Sequence, residues 1–161
     1  MFKKTNNTYL FFILATILTS LIAAFIIEHV LGHQPCKLCI YERIPYILSI
    51  FLMLEIIFFK KHVKITLLLL SVVFFLGSIL AFYHFGIEQG FFKESLVCLN
   101  ENSSESLSKE QILEQLNQNI ISCKDVSFKV LGLSLATINV IFSLFLSVIF
   151  MKLYLNYGKN Q

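Results

Sequence analysis

Residues 34–43 read QPCKLCIYER and stand between two apolar runs, YLFFILATILTSLIAAFII at 9–27 and IPYILSIFLMLEIIFF at 44–59. The first run is too long and too evenly apolar to be one face of a soluble helix, so the polar decapeptide between the runs reads as a connection at a bilayer edge. Two more apolar runs follow, at 65–85 and from 130 to about 153. The run at 44–59 is short for a crossing and draws on its neighbours 41–43. Of 161 residues, 57% are hydrophobic and 14% charged, which excludes a soluble globular domain and indicates an integral membrane protein. The expected architecture is all-α: one domain, 1–161, forming a bundle of four transmembrane helices.

Lys3 and Lys4 ahead of the first run resemble the start of a signal peptide. That run exceeds a usual signal core and continues into EHVLGHQPC without a small-residue cleavage pattern, so it is read as a retained helix. Orientation follows from the lysines. Lys3 and Lys4, then Lys60, Lys61 and Lys64 between the second and third runs, then Lys152 and Lys159, mark the cytoplasmic side, so both termini are expected inside. The segment 86–127 then lies outside, with Glu88, Glu94, Glu101, Glu105, Glu110, Glu114 and Asp125 outnumbering Lys93, Lys109 and Lys124. The net charge of +3 is a topology signal; no basic patch points to nucleic acid. Within this outer loop, Ser108 and Gln111 suggest a capping box, and Ile112, Leu113, Leu116 and Ile120 share one helical face. A short amphipathic helix, on the membrane surface or on the helix tops, is expected there.

All four cysteines fall on the predicted outer side, where disulfides persist. Cys36 and Cys39 form a C-x-x-C pair at the bilayer edge, and Cys98 and Cys123 lie in the outer loop. If Pro35 opens a helix, Cys36, Cys39 and Arg43 share one stripe, a dithiol beside a permanent cation. A helix start and an adjacent arginine both lower a thiol pKa and supply thiolate at neutral pH. Pro45 disfavours helix at Ile44, so a turn just before the helix is the alternative place for the cysteines. Four cysteines with His29 and His33 nearby also admit zinc. The wide spacing of Cys98 and Cys123 and the oxidising side argue for thiol chemistry, and no resident metal is expected.

The strings PCKLCIYER, AFYHFGIEQG and CKDVSFKVLGLSLATIN, in that order with Cys98 between the last two, closely resemble the DsbB family of quinone-linked disulfide-forming membrane proteins. The resemblance spans nearly the whole chain. It implies a bacterial inner-membrane oxidoreductase, with its cysteines on the periplasmic side, that reoxidises a DsbA-like thioredoxin-fold protein. Its electrons would pass to membrane quinone, ubiquinone or menaquinone. In that reading Cys98 and Cys123 form the loop disulfide, and Cys98 takes the mixed disulfide with the partner. Cys123 then attacks Cys36, and Cys39 faces the quinone. Arg43 and His84 are the quinone-site candidates. The family often carries tryptophans where this chain has Phe128 and Ile138, which concerns the shape of the quinone pocket.

Other residues have quieter readings. His84 equally suits a contact to water or a neighbouring helix, Glu42 a pair with Arg43, and Glu55 snorkelling toward Lys60. Ser134 and Asn139 suit bonds between helices. The alternatives to the redox reading are a relative dedicated to a specialised partner and a metal-binding or assembly membrane protein without turnover.

Overall fold

A computed structural model of the chain describes residues 6–60, 62–93, 98, 123–124, 129–130 and 132–159. The amphipathic helix expected at 108–120 lies outside these residues, as does Phe128. The described elements are α1 (Asn6–His29), α2 (Lys37–Tyr41), α3 (Ile44–Phe58), α4 (Val63–Glu88), the strands β1 (Lys129–Val130) and β2 (Leu133–Ser134), and α5 (Leu135–Lys159).

Three helices are long and apolar enough to cross a membrane, over Thr8–His29, Val63–Glu88 and Leu135–Tyr157. Their outer faces carry phenylalanines that water would not tolerate, among them Phe12, Phe75, Phe82 and Phe145, all more than half exposed. α3 has 15 residues, about 22 Å at 1.5 Å per residue, against a hydrocarbon core of about 30 Å. It is preceded by α2 through Glu42 and Arg43, both in right-handed helical conformation. Pro45, in the first turn of α3, explains the break: it brings no N–H, so the hydrogen-bond ladder restarts with Ile47 donating to Arg43.

The last membrane helix begins five residues later than its apolar run suggests. Lys129 and Val130 pair with Ser134 and Leu133 in a small antiparallel hairpin, which turns at Gly132 with a φ of 84°. Ser134 then caps α5, its hydroxyl accepting from the Thr137 N–H at 3.2 Å.

α4 is the centre of the bundle, packed most extensively on α5 and also on α3, which in turn meets α1. Its buried stripe runs Leu67, Leu70, Phe74, Gly77, Ala81, His84, Ile87, the spacing of one helix face. In the half of the bundle remote from the cysteines, its inner half as against the outer half that carries them, that face meets Phe150, whose ring stacks on Phe74 with centroids 5.7 Å apart, and Tyr46, which meets Phe74 edge-on at 5.6 Å. Ser71 and Ser147 donate to each other's carbonyl oxygens at 3.1 and 2.9 Å, a reciprocal clasp between small residues. Gly77 lets α3 come close. A Cβ there would lie 3.1 Å from Pro45 Cγ, so the missing side chain makes room for the proline ring. Glu55 accepts from Thr66 Oγ1 at 3.1 Å, a partner on α4 in place of the lysine expected from the sequence.

Candidate functional site

The C-x-x-C pair straddles the start of α2. Of the two placements the sequence left open, the structure takes one between them: Pro35 stays outside the helix and Cys36 is the N-cap, its backbone extended at φ −68° and ψ 167° and its sulfur accepting from the Cys39 N–H at 3.3 Å. Cys39 lies inside the helix. Both thiols are free, with their sulfurs 2.8 Å apart.

Two helices complete the surroundings of Cys36. His84 of α4 is buried, with Nε2 3.5 Å from the Cys36 sulfur and Nδ1–H donating to Glu42 Oε1 at 2.7 Å. The other Glu42 oxygen accepts from Asn139 Nδ2 of α5 at 2.6 Å. Asn139 Oδ1 in turn accepts from the Tyr46 hydroxyl and, at 3.1 Å, from Ser143. Glu88, one turn beyond His84, reaches within 3.8 Å of its Nε2 and keeps one carboxyl oxygen buried without a partner. A polar chain thus runs from Cys36 through His84 and Glu42 to Asn139 and Tyr46.

These neighbours divide one proton unequally between the two thiols. Cys36 is pushed down to about 4, first by the hydrogen bond from Cys39 and then by His84, against the opposing effect of burial. The 2.8 Å contact holds the remaining proton between the two sulfurs, with Cys36 as the thiolate and Cys39 as the donor.

Arg43 holds a different position from the one its sequence suggested. It pairs with Glu28 at the end of α1, Nη1 to Oε2 at 2.5 Å, and its guanidinium lies 5.0 Å over the Phe25 ring. It is not among the groups that lower Cys36, and Glu42 turns to His84 instead of pairing with it. Successive residues on a helical path point about 100° apart, which sends Glu42 toward α4 and Arg43 toward α1.

Between α1, the α2–α3 corner and α5 lies a cavity of about 430 Å³. Its wall is mostly apolar, from residues such as Leu21, Ala24, Ile138 and Phe142, with polar atoms from Cys39, Glu42, Arg43, Tyr46 and Asn139. His84 is not part of this wall: it faces the dithiol. On the opposite side, Cys36 packs in one cluster with Leu38, Ile87, Cys98 and Cys123. Cys98 and Cys123 form a disulfide, with Cα atoms 5.7 Å apart. All four sulfurs therefore meet at one end of the bundle, with the disulfide against Cys36 and the cavity against Cys39.

Cys36, Cys39 and His84 each offer a ligand atom within 4.8 Å of the others. The histidine that joins the thiols is His84, whereas the sequence had suggested His29 and His33. His29 lies exposed against the Phe25 carbonyl. Glu28, Glu42, Tyr46 and Asn139 were not singled out as site residues in the sequence. The legible signal was Glu42 beside one apolar run and Asn139 inside another, polar groups for which a partner is obligatory once buried.

The sequence matches the family model described as disulfide bond formation protein DsbB over residues 6–153. It is also similar to an uncharacterized protein of Rickettsia prowazekii (strain Madrid E), at 32% identity over 162 residues covering 99% of this chain and 94% of the relative.

Proposed function

The chain belongs to the DsbB family of disulfide bond formation proteins, a membrane disulfide oxidoreductase, and from that premise we propose that it moves electrons from a periplasmic thioredoxin-fold protein to membrane quinone. The observation that carries this reading is the placement of the C-x-x-C pair between the Cys98–Cys123 disulfide and the cavity. The proposed topology has four spans, α2 and α3 together forming the short one, both termini cytoplasmic and the cysteines periplasmic.

The partner's thiolate attacks Cys98, so that Cys98 carries the mixed disulfide and Cys123 leaves as thiolate. Cys123 attacks Cys36 of an oxidised Cys36–Cys39 pair, and Cys39 is freed beside the cavity. While Cys36 is bonded to Cys123 it no longer offers Cys39 a thiolate to hydrogen-bond, so the Cys39 sulfur is released toward the cavity.

The cavity residues fit a quinone. An apolar wall suits a ring with a hydrocarbon tail, and Arg43 supplies a fixed cation whose orientation is held by Glu28. Bound there, a quinone supplies an acceptor for two electrons and two protons. Arg43 orients that acceptor and Cys39 faces it.

Purified protein given a reduced thioredoxin-fold substrate and a soluble quinone is expected to form disulfide at the rate quinone is consumed. Turnover retained by Cys36→Ser overturns the assignment. The cluster of Cys36, Cys39 and His84 favours one second reading, a metal-binding membrane protein without turnover. Stoichiometric zinc on the free thiols of the purified protein, with no quinone-dependent disulfide formation, would establish that reading instead.

A further inference from the structure

Electrons and protons leave the thiols by different atoms. Oxidising a dithiol breaks two S–H bonds and forms one S–S bond, releasing two electrons and two protons; reducing a quinone to its quinol takes up both electrons and forms two O–H bonds. Cys39 opens directly on the cavity and can pass its proton there. Cys36 cannot: it is buried on the far side of α2, against the loop disulfide and His84, and it does not line the cavity. A proton leaving Cys36 needs a route.

The structure contains one. Cys36 Sγ lies 3.5 Å from His84 Nε2, His84 Nδ1 lies 2.7 Å from Glu42 Oε1, and the Glu42 side chain forms part of the cavity wall. An imidazole that accepts at one nitrogen and releases at the other moves a proton across its ring without itself moving. Glu42 is anchored on its second oxygen by Asn139, which keeps the first on His84. No other described polar group within hydrogen-bond distance of Cys36 leads away from the dithiol.

Resting on the function proposed above, we infer that His84 and Glu42 form a proton path that carries the Cys36 proton to the cavity, separate from the electron path through Cys39. His84, which touches the reacting sulfur, is a catalytic residue in this scheme. Glu42 is the delivering group. During closure of the inner pair, Cys36, its proton already on His84, attacks Cys39 as the thiolate; the S–S bond forms, the Cys39 proton leaves directly into the cavity, and Glu42 would hand on the proton held by His84 as the electron pair passes to a bound acceptor. The charged and titratable groups facing His84 are Cys36, Cys39, Glu42 and Glu88; behind them stand two neutral groups, Asn139 of α5 on Glu42 and Ser134 at the end of β2 on Glu88.

The first test needs no quinone. In reduced full-length protein carrying Cys39→Ser, which leaves Cys36 as the free thiol at the inner site, thiolate ultraviolet absorbance is titrated against pH. His84→Gln is expected to make the Cys36 proton at least tenfold harder to remove, and an unchanged midpoint overturns the path at its first step. The second test is a single turnover of reduced protein with a soluble quinone. Glu42→Gln is expected to slow it about 100-fold, in the range of general acid–base contributions, with recovery to within about tenfold in Glu42→Asp. Exchange of the loop disulfide with a reduced thioredoxin-fold protein should be unchanged in both, which separates the path from a folding defect. Full-speed quinone reduction by Glu42→Gln overturns the delivery step. If the unaltered protein reduces no quinone, the proposed function falls, and the delivery step with it; the thiolate titration still reads the Cys36–His84 step alone.

Discussion

The α4–α5 interface carries buried polar groups in both halves, and they are satisfied in different ways. In the inner half, Ser71 and Ser147 exchange hydrogen bonds with each other's backbone and involve nothing else across the helices, beside the stacked rings of Phe74 and Phe150. In the outer half, His84, Glu42 and Asn139 form an open chain that begins at a reactive sulfur and ends at a cavity, and Glu88 leaves an oxygen without a partner. Closed pairs hold helices together. An open chain of ionisable groups costs more to bury and is retained where charge must move.

The contrast predicts that substitutions in the outer half remove activity with little loss of stability, and those in the inner half the reverse. The largest expected effect is that of Cys36→Ser, which leaves no sulfur for Cys123 to attack and reduces quinone-dependent disulfide formation to the uncatalysed rate. Its thermal unfolding in detergent should match that of the parent. A variant that unfolds much earlier would show that Cys36 is part of the scaffold and break the comparison.

Phe150→Ala is the counterpart in the inner half. Removing a fully buried ring from the stack with Phe74 is expected to destabilise by about 3 kcal/mol, read as earlier unfolding in denaturing detergent. The Cys36 midpoint and the per-molecule turnover of the folded fraction should stay unchanged. A shifted midpoint would mean that the two halves are mechanically coupled through α4.

Arg43→Ala sharpens the division inside the outer half. Because Arg43 faces the cavity and Glu28, and Cys36 owes its lowered pKa to Cys39 and His84, the quinone half-reaction should weaken about tenfold, on the order of 1.4 kcal/mol, while exchange with the partner is untouched. Equal losses in both half-reactions would reject the assigned role. The same separation has a pH form. A Cys36 pKa of about 4 lies below that of a free thiol, so the thiolate is present above that pH and lost as pH falls through it. Alkylation of Cys36 in the reduced protein should therefore stay flat from about pH 7 down to about pH 5.5 and decline only as pH approaches about 4. A midpoint near the free-thiol value would remove His84 and Cys39 as its stabilisers.

How far these features were legible beforehand differs between the halves as well. Apolar runs gave α1, α3 and α4 to within a few residues, because an unbroken apolar run of that length is satisfied only as a helix, whether or not it is long enough to cross. The start of α5 was misplaced because hydropathy reads straight through Lys129–Ser134, where Gly132 and the Ser134 cap turn the chain. The C-x-x-C pair stood out by itself. Its charged neighbours did not, because Glu42 and Arg43 are adjacent in sequence yet point about 100° apart, toward α4 and toward α1, a divergence that only the helical path through the α2–α3 corner supplies. His84 was visible as the last polar member of the stripe Phe74, Gly77, Ala81, but nothing in that spacing says that Cys36 lies across from it.

The smallest effect is also the one most specific to the inner half. Ser147→Ala removes one hydroxyl of the clasp, leaving the Ser71 carbonyl without its side-chain donor while Ser71 can still donate to the residue 147 carbonyl. Side-chain hydrogen bonds between membrane helices average about 0.6 kcal/mol, so the loss should be a slight shift in detergent unfolding, about a fifth of that for Phe150→Ala. Alanine also fills the site without strain, since a close α4–α5 contact needs a small residue more than a hydroxyl there. The informative variant is therefore Ser147→Val, where the branched side chain presses on Ser71 and the helices must part. If Ser147→Val leaves turnover of the folded protein intact while unfolding well before Ser147→Ala, the inner half acts only as a clamp. Should turnover fall together with stability, α4 transmits the separation to His84, and the two halves are one device.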